Sequence, residues 1–227
     1  MMFTQDEQTS FIGSVKTGNK KRGCILEKGM TLCEAFTYAY LDVSRAPLAG
    51  IGKSLSDRPV CVRNDCIETI IMPFCRKELF HAESQKGFDE GHQKLCNQIS
   101  AFYASKGYHK FTVGKAQKWV NMGLKYACIY DIEDNAMLDN VWGFFHVPID
   151  RYIADPIVNN LDILLPAYDG FHMPNNKPFS AEKCNYSWSK ITDYGEYLRC
   201  QAEIKSKVPN ALKWEFSEWE KAKATHK

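Results

Sequence analysis

The stretch Thr112-Val113-Gly114-Lys115-Ala116-Gln117-Lys118-Trp119-Val120-Asn121-Met122-Gly123-Leu124-Lys125-Tyr126-Ala127 decides how the chain is read. Val113, Ala116, Val120, Leu124 and Ala127 recur three and four residues apart, the period of one face of an α-helix. Thr112 stands near the start of that helix. At about 100° per residue, Lys118 and Lys125 fall on nearly one side, because their spacing is close to two turns. Two readings of the lysines are open. Either they form the solvated side of an amphipathic helix, or Lys118, beside Gln117 and Trp119, is partly desolvated. Desolvation disfavours an ammonium and leaves more free amine to act as a nucleophile.

Before this helix, Asp89 is expected to open an amphipathic helix with Leu95, Ile99 and Phe102 inward, ended by Gly107. Residues 66–80 are apolar and predicted helical, with Pro73 as a kink or a break. Thr31 and Glu34 have capping-box spacing and predict a helix through Ala35, Phe36, Ala39 and Tyr40 toward Pro47. Residues 48–58 read as a turn. Residues 1–29, with Gly13, Gly18, Gly23 and Gly29 among polar residues, read as an arm with at most a short helix. After the lysine helix, residues 131–140 are polar and loop-like, and Trp142 to Val147 form an aromatic connector. Asp150 leads into a helix, and Asp155-Pro156 is expected to start a further one ending before Pro166. Residues 166–187 hold Gly170, Pro174 and Pro178 and predict a long surface loop. A helix from about Trp188, with Ile191, Tyr194, Leu198 and Ile204 inward, and another after Pro209, with Leu212, Phe216 and Trp219, complete the chain. Alternating strand patterns are nearly absent. The expected fold is all-α, a compact helical bundle. It divides into an arm over 1–29 and a helical unit over 30–227, whose two packed lobes meet near 85–110.

Of 227 residues, 44% are hydrophobic and 25% charged, which argues for a globular core and against disorder. No apolar run approaches the roughly 20 residues of a membrane helix, and the first residues lack the pattern of a secretion signal. A soluble, cytoplasmic monomer is expected. The nine cysteines are an odd number with no C-x-x-C pair, so they read as reduced thiols filling apolar positions rather than as disulfides or a zinc site. Neither a metal nor another cofactor is expected. The net charge of +2 leaves nucleic-acid binding open, because what matters is concentration of charge on one face. Lys16, Lys20, Lys21 and Arg22 are the densest basic cluster, either a solvated loop or a phosphate-contacting segment.

The second informative stretch is Phe145-His146-Val147-Pro148-Ile149-Asp150-Arg151-Tyr152-Ile153. Asp150 precedes a predicted helix, so its plain role is an N-cap. A carboxylate there is also favoured in its ionised form by the helix dipole, which suits it to stabilising positive charge on a sugar. The two roles are compatible. Trp142, Phe144, Phe145 and Tyr152 lie nearby in sequence. They pack a core, or one of them stacks on a base. His146 reads as structural. His92 and Cys96, four apart on one predicted helix, raise a further reading, a hydrolase with a thiol nucleophile and His92 or His81 as its base.

Val147-Pro148-Ile149-Asp150-Arg151 resembles the Val/Pro-Val/Ile-Asp motif that carries the catalytic aspartate of helix-hairpin-helix DNA glycosylases. Lys118 lies 32 residues before Asp150, a separation similar to that in the archaeal 8-oxoguanine glycosylase branch, as are the positions of Met122 and Lys125. The resemblance covers about residues 88–155. It implies a DNA glycosylase in which Lys118 attacks C1′ and Asp150 stabilises the sugar cation, with Lys115 or water as the alternative nucleophile. It also implies DNA contacts from Gly114, Lys115, Lys110 and Arg151, and a base pocket drawn from Trp142, Phe145 and Tyr152. The base is an oxidised purine, or a modified base in foreign DNA such as that of a phage, which would make the protein a defence factor. Two family features differ. The Leu-Pro-Gly-Val-Gly hairpin turn is replaced by Tyr108-His109-Lys110-Phe111-Thr112-Val113-Gly114, and there is no cysteine-rich iron–sulfur loop. A helical protein that binds nucleic acid or an effector without catalysis, with Asp150 only a cap, is the competing reading.

Overall fold

The computed structural model describes residues 3–10, 31–44, 59–130, 135–174 and 178–225. The basic cluster at 16–22, Cys24, the predicted turn at 48–58 and the first residues of the 131–140 loop lie outside them. The described chain is all-α. Its helices are α1 (Leu32–Ser44), α2 (Pro59–Cys66), α3 (Met72–Lys77), α4 (Gln85–Ser105), α5 (Val113–Ile129), α6 (Asn135–Leu138), α7 (Arg151–Asn159), α8 (Tyr194–Lys207) and α9 (Ala211–Thr225). No strand occurs among the described residues, and Tyr168 and Phe171 make an isolated antiparallel bridge around Gly170, whose φ is +81°. No helix among them is long and apolar enough to cross a membrane.

The lysine helix α5 is the hub. Every residue from Gly114 to Ile129 is buried, so the helix is enclosed on all sides rather than amphipathic. The solvated-face reading of its lysines is therefore corrected. Thr112 caps it, accepting from the Lys115 amide. Helix α1 lies against it so closely at Gly123 that a Cβ there would stand 2.5 Å from the Phe36 ring. Trp119 Nε1 donates to the Phe36 carbonyl at 2.8 Å, and the Tyr126 hydroxyl donates to Asp42 at 2.6 Å, which pins the pair along its length. The capping box of α1 forms as expected, with the Thr31 amide on Glu34 and the Glu34 amide on Thr31.

Three boundaries differ from expectation. Helix α4 starts at Gln85 rather than Asp89, because Ser84 caps it through the Gly87 amide ahead of the first inward residue. Pro73 does not break the helical run; a π-helical turn at Ile67–Ile71 precedes it, and the Met72 amide reaches back to Ile67. Proline lacks an N–H and its ring collides with the carbonyl four residues earlier, so widening the turn there relieves both. Asp155-Pro156 does not start a helix. Pro156 lies inside α7, which stays continuous because Ile153, Ala154, Ile157 and Val158 are buried together. At the amino end, residues 5–10 are helical, and Phe3 is buried against Phe216 of α9 at a ring distance of 5.2 Å. The expected lobe boundary at 85–110 is occupied by α4 itself, whose inner face joins one contiguous core.

Candidate functional site

Residues 145–149 are buried and outside regular secondary structure before α7 begins. Asp150 follows as the N-cap: Oδ1 accepts from the amides of Tyr152 (2.8 Å) and Ile153 (3.2 Å). The second oxygen, Oδ2, faces α5 and accepts from Lys118 Nζ at 3.0 Å. The Lys118 and Asp150 side chains are 9% and 14% exposed, so the pair is shielded from most solvent. The Lys118 ammonium also lies 4.4 Å from the centre of the Trp188 ring, within cation–π range. An amine, a carboxylate and an indole thus meet at one place.

Trp188 is brought there by a docking that sequence periodicity hid. A helix was expected from about residue 188. Instead a 3-10 turn, Trp188–Lys190, is followed by an extended link, and α8 begins at Tyr194 under an Asp193 cap. The link is held to the amino end of α5: the Gly114 amide donates to the Ile191 carbonyl (2.8 Å) and the Thr112 hydroxyl to the Ser189 carbonyl (2.6 Å). A Cβ on Gly114 would stand 2.0 Å from the Trp188 carbonyl oxygen, so glycine is required by this contact. Gly114 therefore has no free amide for phosphate, which corrects that expectation. Lys115 is likewise turned inward. It is 5% exposed, and its ammonium donates to the Lys110 carbonyl at 2.6 Å. Burial, then the charge of Lys110, lowers its pKa. Lys110 and Arg151 have exposed side chains, and the Arg151 guanidinium lies over the Tyr152 ring at 5.4 Å.

Of the aromatic candidates, Phe145 is 2% exposed and packs on Phe88 at 5.5 Å, so it belongs to the core and not to a base pocket. Trp142 is half-buried against the same core, and Tyr152 is half-buried next to Asp150.

A buried polar network supports the chain ahead of Asp150. His146 Nε2 donates to Asp89 Oδ1 (2.9 Å), which leaves Nδ1 to accept from the Tyr197 hydroxyl (3.0 Å). The Tyr197 oxygen accepts from Asn121 Nδ2 (2.8 Å), and Asn121 Oδ1 accepts from His92 Nε2 (2.9 Å). The remaining His92 nitrogen is 2.8 Å from the Tyr194 hydroxyl. Burial lowers the pKa of both histidines, that of His92 far below the usual value, so both are neutral. Burial alone would raise Asp89, but hydrogen bonds from His146 and Gln85 hold its carboxyl below the usual range. Burial pushes Lys205, which donates to Gln85, down to about 8. Cys96 Sγ lies 3.6 Å from His92, but burial pushes the thiol far up and both histidine nitrogens are engaged. That arrangement holds no activated nucleophile, and the thiol-hydrolase reading is set aside.

One turn further along α5 than Lys118, twice over, Lys125 is paired with Glu215 of α9 at 2.6 and 2.9 Å, between Phe216 and Trp219. Burial pushes the Glu215 carboxyl up against the pull of Lys125. Trp188, Gln117, Asn121, Gln201 and Glu215 were not singled out from sequence. For Gln117 and Asn121 a signal existed, because both amides lie four apart on a helix of apolar residues. Gln201 lies between inward-facing Tyr197 and Ile204 in the same way. Trp188 carried none. Among the described residues no group of three histidine, cysteine, aspartate or glutamate side chains is arranged to hold a metal. No protein-family model, curated protein or solved structure matches the chain.

Proposed function

We propose that this protein is a DNA N-glycosylase of the helix-hairpin-helix kind, which removes an oxidised purine or another modified base, with Lys118 and Asp150 as its catalytic residues. One observation carries the reading: Lys118 Nζ stands 3.0 Å from an Asp150 oxygen while the other Asp150 oxygen is fixed by two helix amides. The target nucleotide leaves the stack, because its glycosidic bond is out of reach within a duplex. The C1′–N bond breaks with its electron pair going to the base, and the ionised Asp150 carboxylate stabilises the positive sugar. The lone pair of Nζ forms the new bond to C1′. Only as Nζ attacks does it give up a proton, which Asp150 Oδ2 is within hydrogen-bond reach to take and pass on to the departed base. Ring opening yields an imine, from which β-elimination cuts the strand. If water attacks instead, Asp150 serves alone and no imine forms. Trp188 is available to cover the reacting sugar or base, and Lys110 and Arg151 to meet phosphates.

Borohydride reduction with duplexes carrying a panel of oxidised and modified bases tests this. A covalent adduct that Lys118→Gln abolishes supports the lysine route. Base release without an adduct supports the water route. Absence of both, with DNA still bound, replaces the proposal by the binding-protein reading.

A further inference from the structure

The chain from Phe145 to Ile149 is buried and lies outside regular secondary structure, with no strand beside it among the described residues. Its main-chain polar groups must find partners in side chains. Val147 finds both in one residue: its N–H donates to Gln201 Oε1 at 2.9 Å and its carbonyl accepts from Gln201 Nε2 at 2.8 Å. Gln201 projects from α8 and is 1% exposed. A primary amide offers a donor and an acceptor in one plane, which is what an adjacent strand would offer. Pro148 follows with no N–H. The Ile149 carbonyl then accepts from Gln117 Nε2 at 3.3 Å, and Asp150 comes next. Tyr197 and Ile204, on neighbouring turns of α8, fill volume on the same side. Gln201 adds to that filling a grip on the main chain.

We propose that Gln201 is a positioning residue for Asp150, gripping Val147 on both main-chain groups and thereby setting where the carboxylate stands against the Lys118 amine. The kinetic consequence rests on the base-excision reading. The structural consequence does not.

Gln201→Glu and Gln201→Met in the full chain separate this from packing. A protonated glutamate keeps the shape, one donor and one acceptor. Once ionised it has acceptors only and faces the Val147 carbonyl. Burial raises a carboxyl pKa, so this ionisation moves toward neutral pH. The first measurement is amide hydrogen-exchange protection at Tyr152 and Ile153, the two amides held by Asp150. In Gln201→Glu it matches wild type at acid pH and falls as pH rises, through one ionisation that wild type lacks. In Gln201→Met it is reduced at every pH. The second is base release, where kcat falls on the order of 10- to 100-fold through the same ionisation while KM stays within about threefold. Wild-type protection in the ionised glutamate variant overturns the proposal, as does a parallel change of kcat and KM without a new ionisation. If wild type releases no base, the excision reading fails and the protection factors decide the role of Gln201 by themselves. Should the methionine variant not fold, the pH series of the glutamate variant is sufficient.

Discussion

At Asp150 the two carboxylate oxygens have separate work. One caps α7 through two amides, and the other holds the Lys118 ammonium. Asparagine is as good an N-cap as aspartate, so Asp150→Asn separates structure from chemistry. Its cap survives, but Nδ2 cannot accept from the Lys118 ammonium, so stability by urea unfolding is expected to fall by about 1–3 kcal/mol, while base release falls about 100-fold or more, the scale of lost electrostatic stabilisation. Equal activity in the two proteins would leave Asp150 a cap and nothing more. Lys118→Gln is expected to keep the fold and lose the borohydride adduct. Trp188→Phe retains an aromatic face near the amine and Trp188→Ala does not, so activity is expected to fall in the order wild type, phenylalanine, alanine. Trp188 is itself half-buried, with its ring 4.4 Å from the Lys118 amine.

At the scale of elements, α5 is joined to its neighbours by charged as well as apolar contacts. Lys125 on α5 and Glu215 on α9 are 1% and 2% exposed. Removing one member of such a buried pair strands the other, a cost of about 3–5 kcal/mol. Replacing both by apolar residues of similar volume is neutral or stabilising in comparable cases. Glu215→Leu is therefore expected to be strongly destabilising, and Lys125→Met with Glu215→Leu to recover most of the loss in urea midpoint. A double variant no better than the single one would count against a simple ion pair. The amino end of the same helix makes a different demand. Gly114→Ala must displace main chain at Trp188, whereas the atoms nearest a Cβ on Gly123 belong to the Phe36 side chain. The first substitution is expected to move the Trp188 turn, lower activity and change tryptophan fluorescence.

Over the whole molecule, the neutral histidines set how stability depends on pH. Unfolded histidine titrates near pH 6.5, and burial holds His92 and His146 below that in the fold. As pH falls through about 6.5, the unfolded chain binds protons that the folded chain refuses, so stability declines toward acid, by at most about 1.4 kcal/mol per pH unit for each histidine. Asp89, held low in the fold, adds a loss in the same direction only at lower pH. Glu215, held high, opposes it over its own range. Urea unfolding at pH 7, 6 and 5 is expected to show declining stability, with a smaller slope in His92→Gln. A slope unchanged in His92→Gln would mean that His92 is not neutral in the core.

Periodicity in the sequence determined that the chain is helical, because apolar spacing is a local property, and it located α5 with its start near Thr112, while the residues ahead of α7 pointed to the cap at Asp150. It also selected Lys118 and Asp150 as residues to watch. It left the lysines of α5 open between a solvated face and desolvation, since a polar residue on a helix face looks solvated until its neighbours are known. Only tertiary structure decided that α5 is enclosed, that Gly114 and Lys115 serve packing, and that Phe145 is core. The same holds for the partners of Trp188, Gln201 and Glu215, which meet Lys118, Val147 and Lys125 from segments distant in sequence. Their partners are fixed by contacts between helices, and such contacts leave no period along the chain.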